Sequence, residues 1–163
     1  SGIREYVIPT RLTSNTACVA PLWKCGDEVF IGIEDRDLPA CQSYFGHSNL
    51  RVAPAWRLPI EVSTLDELEP WLTQRLSDEH GLCVGRVVPL GGHYHADPGV
   101  TPETIYPMAV EVLGQDAEGT PLQWVPLREL MAIVGREELD GQLTLTAFRA
   151  AHALGLSWSS GLD

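Results

Sequence analysis

The sequence predicts an α+β sandwich. Three observations carry this: a hairpin signature near the start, one long capped amphipathic helix, and a strong strand followed by a short strand and two late helices. Strands and helices do not alternate regularly, so a chain of βαβ units is not expected.

In chain order, the first apolar run is Ala17 to Trp23, with Pro21 inside it. Gly26-Asp27 is a turn signal and Glu28 to Ile33 is extended again, so the two runs read as a hairpin. Proline lacks the N–H that a ladder needs, so Pro21 predicts an edge strand. Asp35 to Asn49 is polar and reads as loop. Leu50 to Leu58 is extended, with Pro54 and Pro59 limiting its length. Thr64 with Glu67 fits a capping box, and Gly81 fits a C-terminal stop. Between them Leu65, Leu68, Leu72 and Leu76 recur at helical spacing, with Trp71 beside them. Pro70 in this segment predicts a kink or a restart. Arg86 to Leu90 reads as strand, and Gly91-Gly92 opens a loop that runs to Pro102. Thr104 to Leu113 is the strongest strand. Asp116 to Gly119 turns the chain into a strand at Leu122 to Val125. A short helix starts near Leu127, and Asp140-Gly141 separates it from a last helix, Leu143 to Leu154.

The chain has 163 residues, 44% of them apolar, which suits one domain with a sizeable core. We read residues 1–163 as that single domain, with its core at about 15–155. No apolar run approaches the roughly 20 residues of a membrane span. No segment has the basic start and apolar centre of a signal peptide, so a cytoplasmic protein without a membrane partner is expected. The chain opens Ser1-Gly2 without Met. That fits a cloning scar or a piece cut from a longer protein, and leaves room for fused or partner domains. The net charge of −11 repels nucleic acid. A small anionic ligand would need a local basic or backbone-amide pocket. Cys18, Cys25, Cys41 and Cys83 form no CxxC pair and read as reduced thiols.

The charges of the long helix are informative. With Leu65 at zero on a projection of about 100° per residue, Arg75 and Glu79 fall at roughly 280° and 320°, inside the apolar arc. Asp78 lies at its border. Charges there need partners, because an isolated buried charge is costly. Arg75 meets Glu79 at four residues and Asp78 at three. A structural ion pair and the border of a ligand site are both open, and compatible.

Gln74-Arg75-Leu76-Ser77-Asp78-Glu79-His80-Gly81-Leu82 resembles the second half of the Nudix box, REUxEExGU, where U is aliphatic. Asp78, Glu79, Gly81, Leu76 and Leu82 fit. Asp66 falls where the box has its upstream Glu, Ile60 where it has Gly, and Gln74-Arg75 where it has Arg-Glu. Pro98-Gly99-Val100-Thr101-Pro102-Glu103 before a strand is similar to the PG-x-x-x-E segment of Nudix enzymes acting on ADP-ribose and nucleotide sugars. Trp124 to Leu130 resembles the strand and helix start that close that fold.

The resemblance implies a mixed central sheet sandwiched between helices, an α/β/α Nudix-like layout. It also implies acidic residues that hold Mg²⁺ or Mn²⁺ against a diphosphate, with water attacking phosphorus. Carried over position by position, Asp78 and Glu79 are the metal-ligand and catalytic candidates, with Glu103 near the substrate. Arg75 stands where the family has a ligand Glu. A guanidinium is always charged, and at about 4 Å it repels a dication appreciably even at an effective dielectric of 20.

Other candidates come from residue chemistry. His93, His95 and Asp97 point one way in an extended chain, which allows a metal site or a ligand contact, with Tyr94 stacking from the other face. The plainer reading is a polar surface loop. Trp56-Arg57 suits a base and a phosphate, or core packing of Trp56. Arg36, between Glu34, Asp35 and Asp37, suits a phosphate or a solvated turn. Glu111 is a candidate base if its strand face is central. No P-loop or Rossmann glycine pattern is present. The expected function is binding of a nucleoside-diphosphate derivative, a small molecule, with slow or altered hydrolysis. The alternative is a non-catalytic recognition or assembly module of a larger protein.

Overall fold

A computed structural model describes residues 12–37, 49–95, 102–116, 119–134 and 139–156. Its strands are β1 (Leu12–Cys25), β2 (Glu28–Asp37), β3 (Asn49–Val52), β4 (Ala55–Pro59), β5 (Leu82–Pro89), β6 (Tyr94–His95), β7 (Thr104–Gln115) and β8 (Gln123–Pro126). Its helices are α1 (Leu65–His80), α2 (Leu127–Ile133) and α3 (Gly141–Ala153). The sheet order is β3-β2-β1-β7-β5, with β4 on β1, β6 on β7 and β8 on β2. The β1–β7 pair is parallel and the others are antiparallel, so the sheet is mixed.

Alternation along β1 shows the layering. Ala17 and Val19 face a core that holds Leu68, Leu72 and Leu76 of α1. Cys18 and Ala20 face a second core, built with Leu127 and Leu130 of α2 and Leu143, Ala147 and Ala150 of α3. One buried strand thus separates two apolar layers, as successive side chains on a strand must. The expected sandwich is observed, with α1 on one face and α2 and α3 on the other.

The capping expectations hold at α1. Thr64 Oγ1 accepts from the Glu67 backbone N–H, and Glu67 Oε2 accepts from the N–H of Thr64 at 3.0 Å and of Ser63 at 2.9 Å. These bonds, led by that from Ser63, hold the Glu67 carboxyl below its ordinary range. Gly81 ends the helix at φ 64°, and its N–H reaches Leu76 and Ser77 carbonyls. Pro70 neither kinks the chain into two helices nor restarts it. It lies on the exposed side of a continuous helix. Leu65 is 53% exposed, so it belongs outside the core, and Trp71 is only partly buried.

Pro21 corrects the edge-strand expectation, because β1 is central. Its outer edge pairs with β4 up to Cys18 and with β2 from Leu22. Pro21 therefore sits in the gap where the strand changes partner and an N–H on that side has no ladder to join. The polar segment after Ile33 also differs: Glu34 to Asp37 still belongs to β2, and Asn49 already starts β3. The remaining loop residues 38–48, including Cys41, lie outside the described residues, as do Asp97 and the segment 96–101. Among the described residues, no helix is long and apolar enough to cross a membrane.

Candidate functional site

The end of α1, the end of β2 and residues 119–123 enclose a cleft of about 660 Å³, lined among others by Glu34, Arg36, Asp78, Glu79, His80 and Gln123. All the parts are fixed by local rules. Even positions of β2 (Gly32, Glu34, Arg36) face α1, and the last turn of α1 brings Asp78, Glu79 and His80 over them.

Glu79 is held from two sides. Arg75 Nη2 donates to its Oε1 at 2.6 Å, one helical turn away. Trp56 Nε1 donates to its Oε2 at 2.8 Å from β4. Of the two pairings that the helical spacing allows for Arg75, with Glu79 or with Asp78, the one with Glu79 is formed. Asp78 Oδ1 accepts from Gln74 Nε2 at 2.7 Å.

Behind Glu79 lies a second pair. His80 is 3% exposed, its Nδ1–H donates to the Thr120 carbonyl at 2.9 Å, and its Nε2 is 3.1 Å from Glu34 Oε1. That last contact has ion-pair distance without hydrogen-bond geometry. Arg36 Nε donates to the other oxygen of Glu34. Burial lowers the His80 pKa, but Glu34 and the Thr120 carbonyl outweigh it and raise the value above 6.5. Burial raises the Glu34 pKa, but His80 and Arg36 outweigh it and lower the value below 4.5.

A raised imidazole pKa contributes stability that is full below 6.5 and is lost as pH rises through the folded value. A lowered carboxyl pKa contributes stability present above 4.5 and lost as pH falls through the folded value. The pair therefore helps most between those two ordinary values. Glu34→Gln is expected to lower the melting temperature more near pH 5.5 than near pH 8.5. Equal losses in thermal melts at both would show that the pair is not coupled.

The segment after β7 locks onto the helix end. Thr120 N–H donates to the Glu79 carbonyl at 2.7 Å, and Asp116 N–H to the Gly81 carbonyl at 2.8 Å. Gly119 has φ +110°, and a Cβ there would sit 2.7 Å from backbone atoms of Gly81 and His80. Gly119→Ala is expected to cost on the order of 1–3 kcal/mol through strain, and to loosen the cleft wall. A thermal melt unchanged from wild type would contradict this close approach.

The other candidates fall elsewhere. Thr16 Oγ1 donates to Glu103 Oε1 at 2.6 Å. Thr16 alternates with Cys18 and Ala20, so the Glu103 side chain is on the α3 face, across the sheet from Glu79. Tyr94 packs into the α3-side core, with Arg149 over its ring at 5.5 Å. Burial pushes its hydroxyl pKa upward. His93 lies beside Tyr106 on the α1 face, but neither His93 nor His95 lines the cleft next to Glu79. His93, Tyr94, His95 and Glu103, offered as ligand or substrate contacts, thus do not line the cleft beside Glu79. Trp56 is 9% exposed and in the core, so it is a partner of Glu79 rather than a surface for a base. Arg57 is exposed and points to the opposite sheet face from Trp56, which removes the joint base-and-phosphate role. Glu111 is exposed and does not line the cleft.

Sequence reasoning missed His80 and Thr120. The signal for His80 was available: Leu68, Leu72, Leu76 and His80 stand at four-residue steps, and all four are buried. Thr120 acts through its backbone, which leaves no mark in residue type.

Among the described residues the donor set departs from the one that the Nudix resemblance implies. Each oxygen of Glu79 has a donor, and one of the two is a fixed cation. Among the described residues no three His, Cys, Asp or Glu side chains converge to hold an ion.

Compared with protein-family models and with curated proteins, the sequence matches none. The structure resembles the NUDIX domain of Shewanella oneidensis NrtR, solved in complex with ADP ribose, at TM-score 0.56 and 12% identity over 90% of each chain. It also resembles a NUDIX hydrolase from Nitrosomonas europaea, at TM-score 0.55 and 14% identity over 90% of this chain and 99% of that one. At these identities the likeness establishes the fold.

Proposed function

We propose that this domain of Nudix fold binds a nucleoside-diphosphate derivative without ordinary Mg²⁺-dependent hydrolysis. The observation that carries the proposal is the Arg75–Glu79 pair, closed on its other side by Trp56. Arg75 puts a permanent positive charge where the family resemblance calls for a metal-holding carboxylate. Its side chain is 46% exposed, so it can exchange Glu79 for a phosphate oxygen. Guanidinium binds phosphate through two parallel N–H groups and needs no metal to do so. Arg36, 40% exposed and held by Glu34, is the guanidinium that lines the cleft, and Arg75 reaches its edge through Glu79, which lines it too. The four carboxylates Glu34, Asp35, Asp78 and Glu79 otherwise oppose an anion, so the arginines decide affinity.

Support for the ligand class comes from the cleft's size and from the fold. Its volume lies within the roughly 300–1,000 Å³ usual for small-molecule sites. A structural neighbour holds ADP ribose. Without a dication only guanidinium groups face the charge that develops on the phosphoryl oxygens, and hydrolysis is expected to be slow.

Calorimetric titration of ADP-ribose with EDTA, and again with Mg²⁺ or Mn²⁺, tests the proposal. Binding in EDTA, little changed by metal and with turnover near background, is the expected result. Arg75→Ala should weaken it at least tenfold. Binding that requires a metal, or brisk metal-dependent hydrolysis, would make this an ordinary hydrolase. Binding without turnover also separates it from that class in favour of a recognition domain.

A further inference from the structure

We infer that His93 and His95 form a two-imidazole site for a borderline divalent ion of the zinc, nickel or copper class. The pair lies at the start of β7, away from the cleft, and is independent of the function proposed above.

The two residues are separated by one position, so their side chains leave the same face of the chain, and both are exposed. Their ring centroids are 5.9 Å apart. Two imidazoles on one ion at about 2.0–2.1 Å bring the centroids to roughly 4.5–5.5 Å, close to the spacing observed. Imidazole nitrogens suit zinc, nickel and copper better than magnesium.

The ring positions are also prepared. His95 Nδ1 is 3.1 Å from the Glu103 backbone carbonyl. A carbonyl only accepts, so Nδ1 carries the proton and Nε2 presents its lone pair. A ligand histidine fixed in this way by a backbone carbonyl is a common outer-shell arrangement. The His93 ring packs against Tyr106 at 5.6 Å, which limits its rotation. The chain's net charge of −11 favours accumulation of a cation at its surface. Of the other described histidines, His80 is buried and bonded to Thr120, and His152 is on α3.

Titration of the whole chain with Ni²⁺ alone, followed by calorimetry, tests this. One ion per chain is expected. His93→Ala and His95→Gln should each weaken binding at least tenfold, with near-ultraviolet circular dichroism unchanged. Cys25→Ser with Cys83→Ser should leave it unchanged, and so should Arg75→Ala. Cu²⁺-loaded chain should show nitrogen coupling from two imidazoles in its electron paramagnetic resonance spectrum. The inference is overturned if the histidine variants bind as wild type does, or if the cysteine variant abolishes binding. A copper spectrum with one nitrogen or none overturns it as well.

Discussion

Arg75→Glu is expected to reverse the ligand and metal preferences of the cleft. The substitution removes the guanidinium from Glu79 and sets three acidic side chains, at 75, 78 and 79, on one end of α1. Mg²⁺ or Mn²⁺ affinity should rise at least tenfold, because oxygen donors replace a fixed cation. Metal-free binding of ADP-ribose should fall at least tenfold, since a charge-assisted contact becomes a repulsive one. The apo variant should also melt at a lower temperature, as like charges crowd one helix face. Calorimetry with each ligand separates these effects. Wild-type protein that already binds Mg²⁺ as tightly as the variant would refute the role given to Arg75.

Leu72→Ala should cause the largest loss of stability. Leu72 is fully buried between α1 and the sheet, among Leu68, Leu76 and Val110. Such truncations cost about 2–5 kcal/mol, the spread reflecting how far the cavity closes. Domains are stable by only about 5–15 kcal/mol in total, so a large fraction is lost. Leu65→Ala on the same helix should change stability by no more than about 0.5 kcal/mol, because Leu65 is exposed. Urea denaturation of the two variants makes the comparison. Similar losses would mean that α1 is rotated from its described position.

Those two leucines show where sequence periodicity informs and where it stops. Capping residues and four-residue steps identified α1 and three of its buried positions, since hydrogen-bond needs and burial act within one helix. Leu65 fits the same apolar arc, but it lies in the first turn, beyond the reach of the sheet. The Arg75–Glu79 pair was also legible, being a contact within one turn. Trp56 as the second partner of Glu79 was not, because it arrives from β4, 23 residues away in sequence. The cleft's floor was missed for a similar reason. Glu34 reads as part of a charged turn until β2 is seen to continue to Asp37. Pro21 misled because a proline shows that an N–H is missing, but not that the strand edge beside it changes partner. The grouping of Glu103 with Glu79 failed on strand parity, which pattern alone could not settle.

The parallel pairing of β1 with β7 has a consequence for how the chain is made. It joins Ala17 to Tyr106 and Val19 to Met108, residues 89 positions apart in the chain. Contacts so distant in sequence raise contact order and slow folding. During synthesis β1 must wait, with its hairpin partner β2 formed and its other edge open, until residues beyond 104 emerge. An open edge of buried apolar character invites pairing with another chain. Nascent or truncated chains that stop before β7 should therefore depend on chaperones, and the finished domain should not.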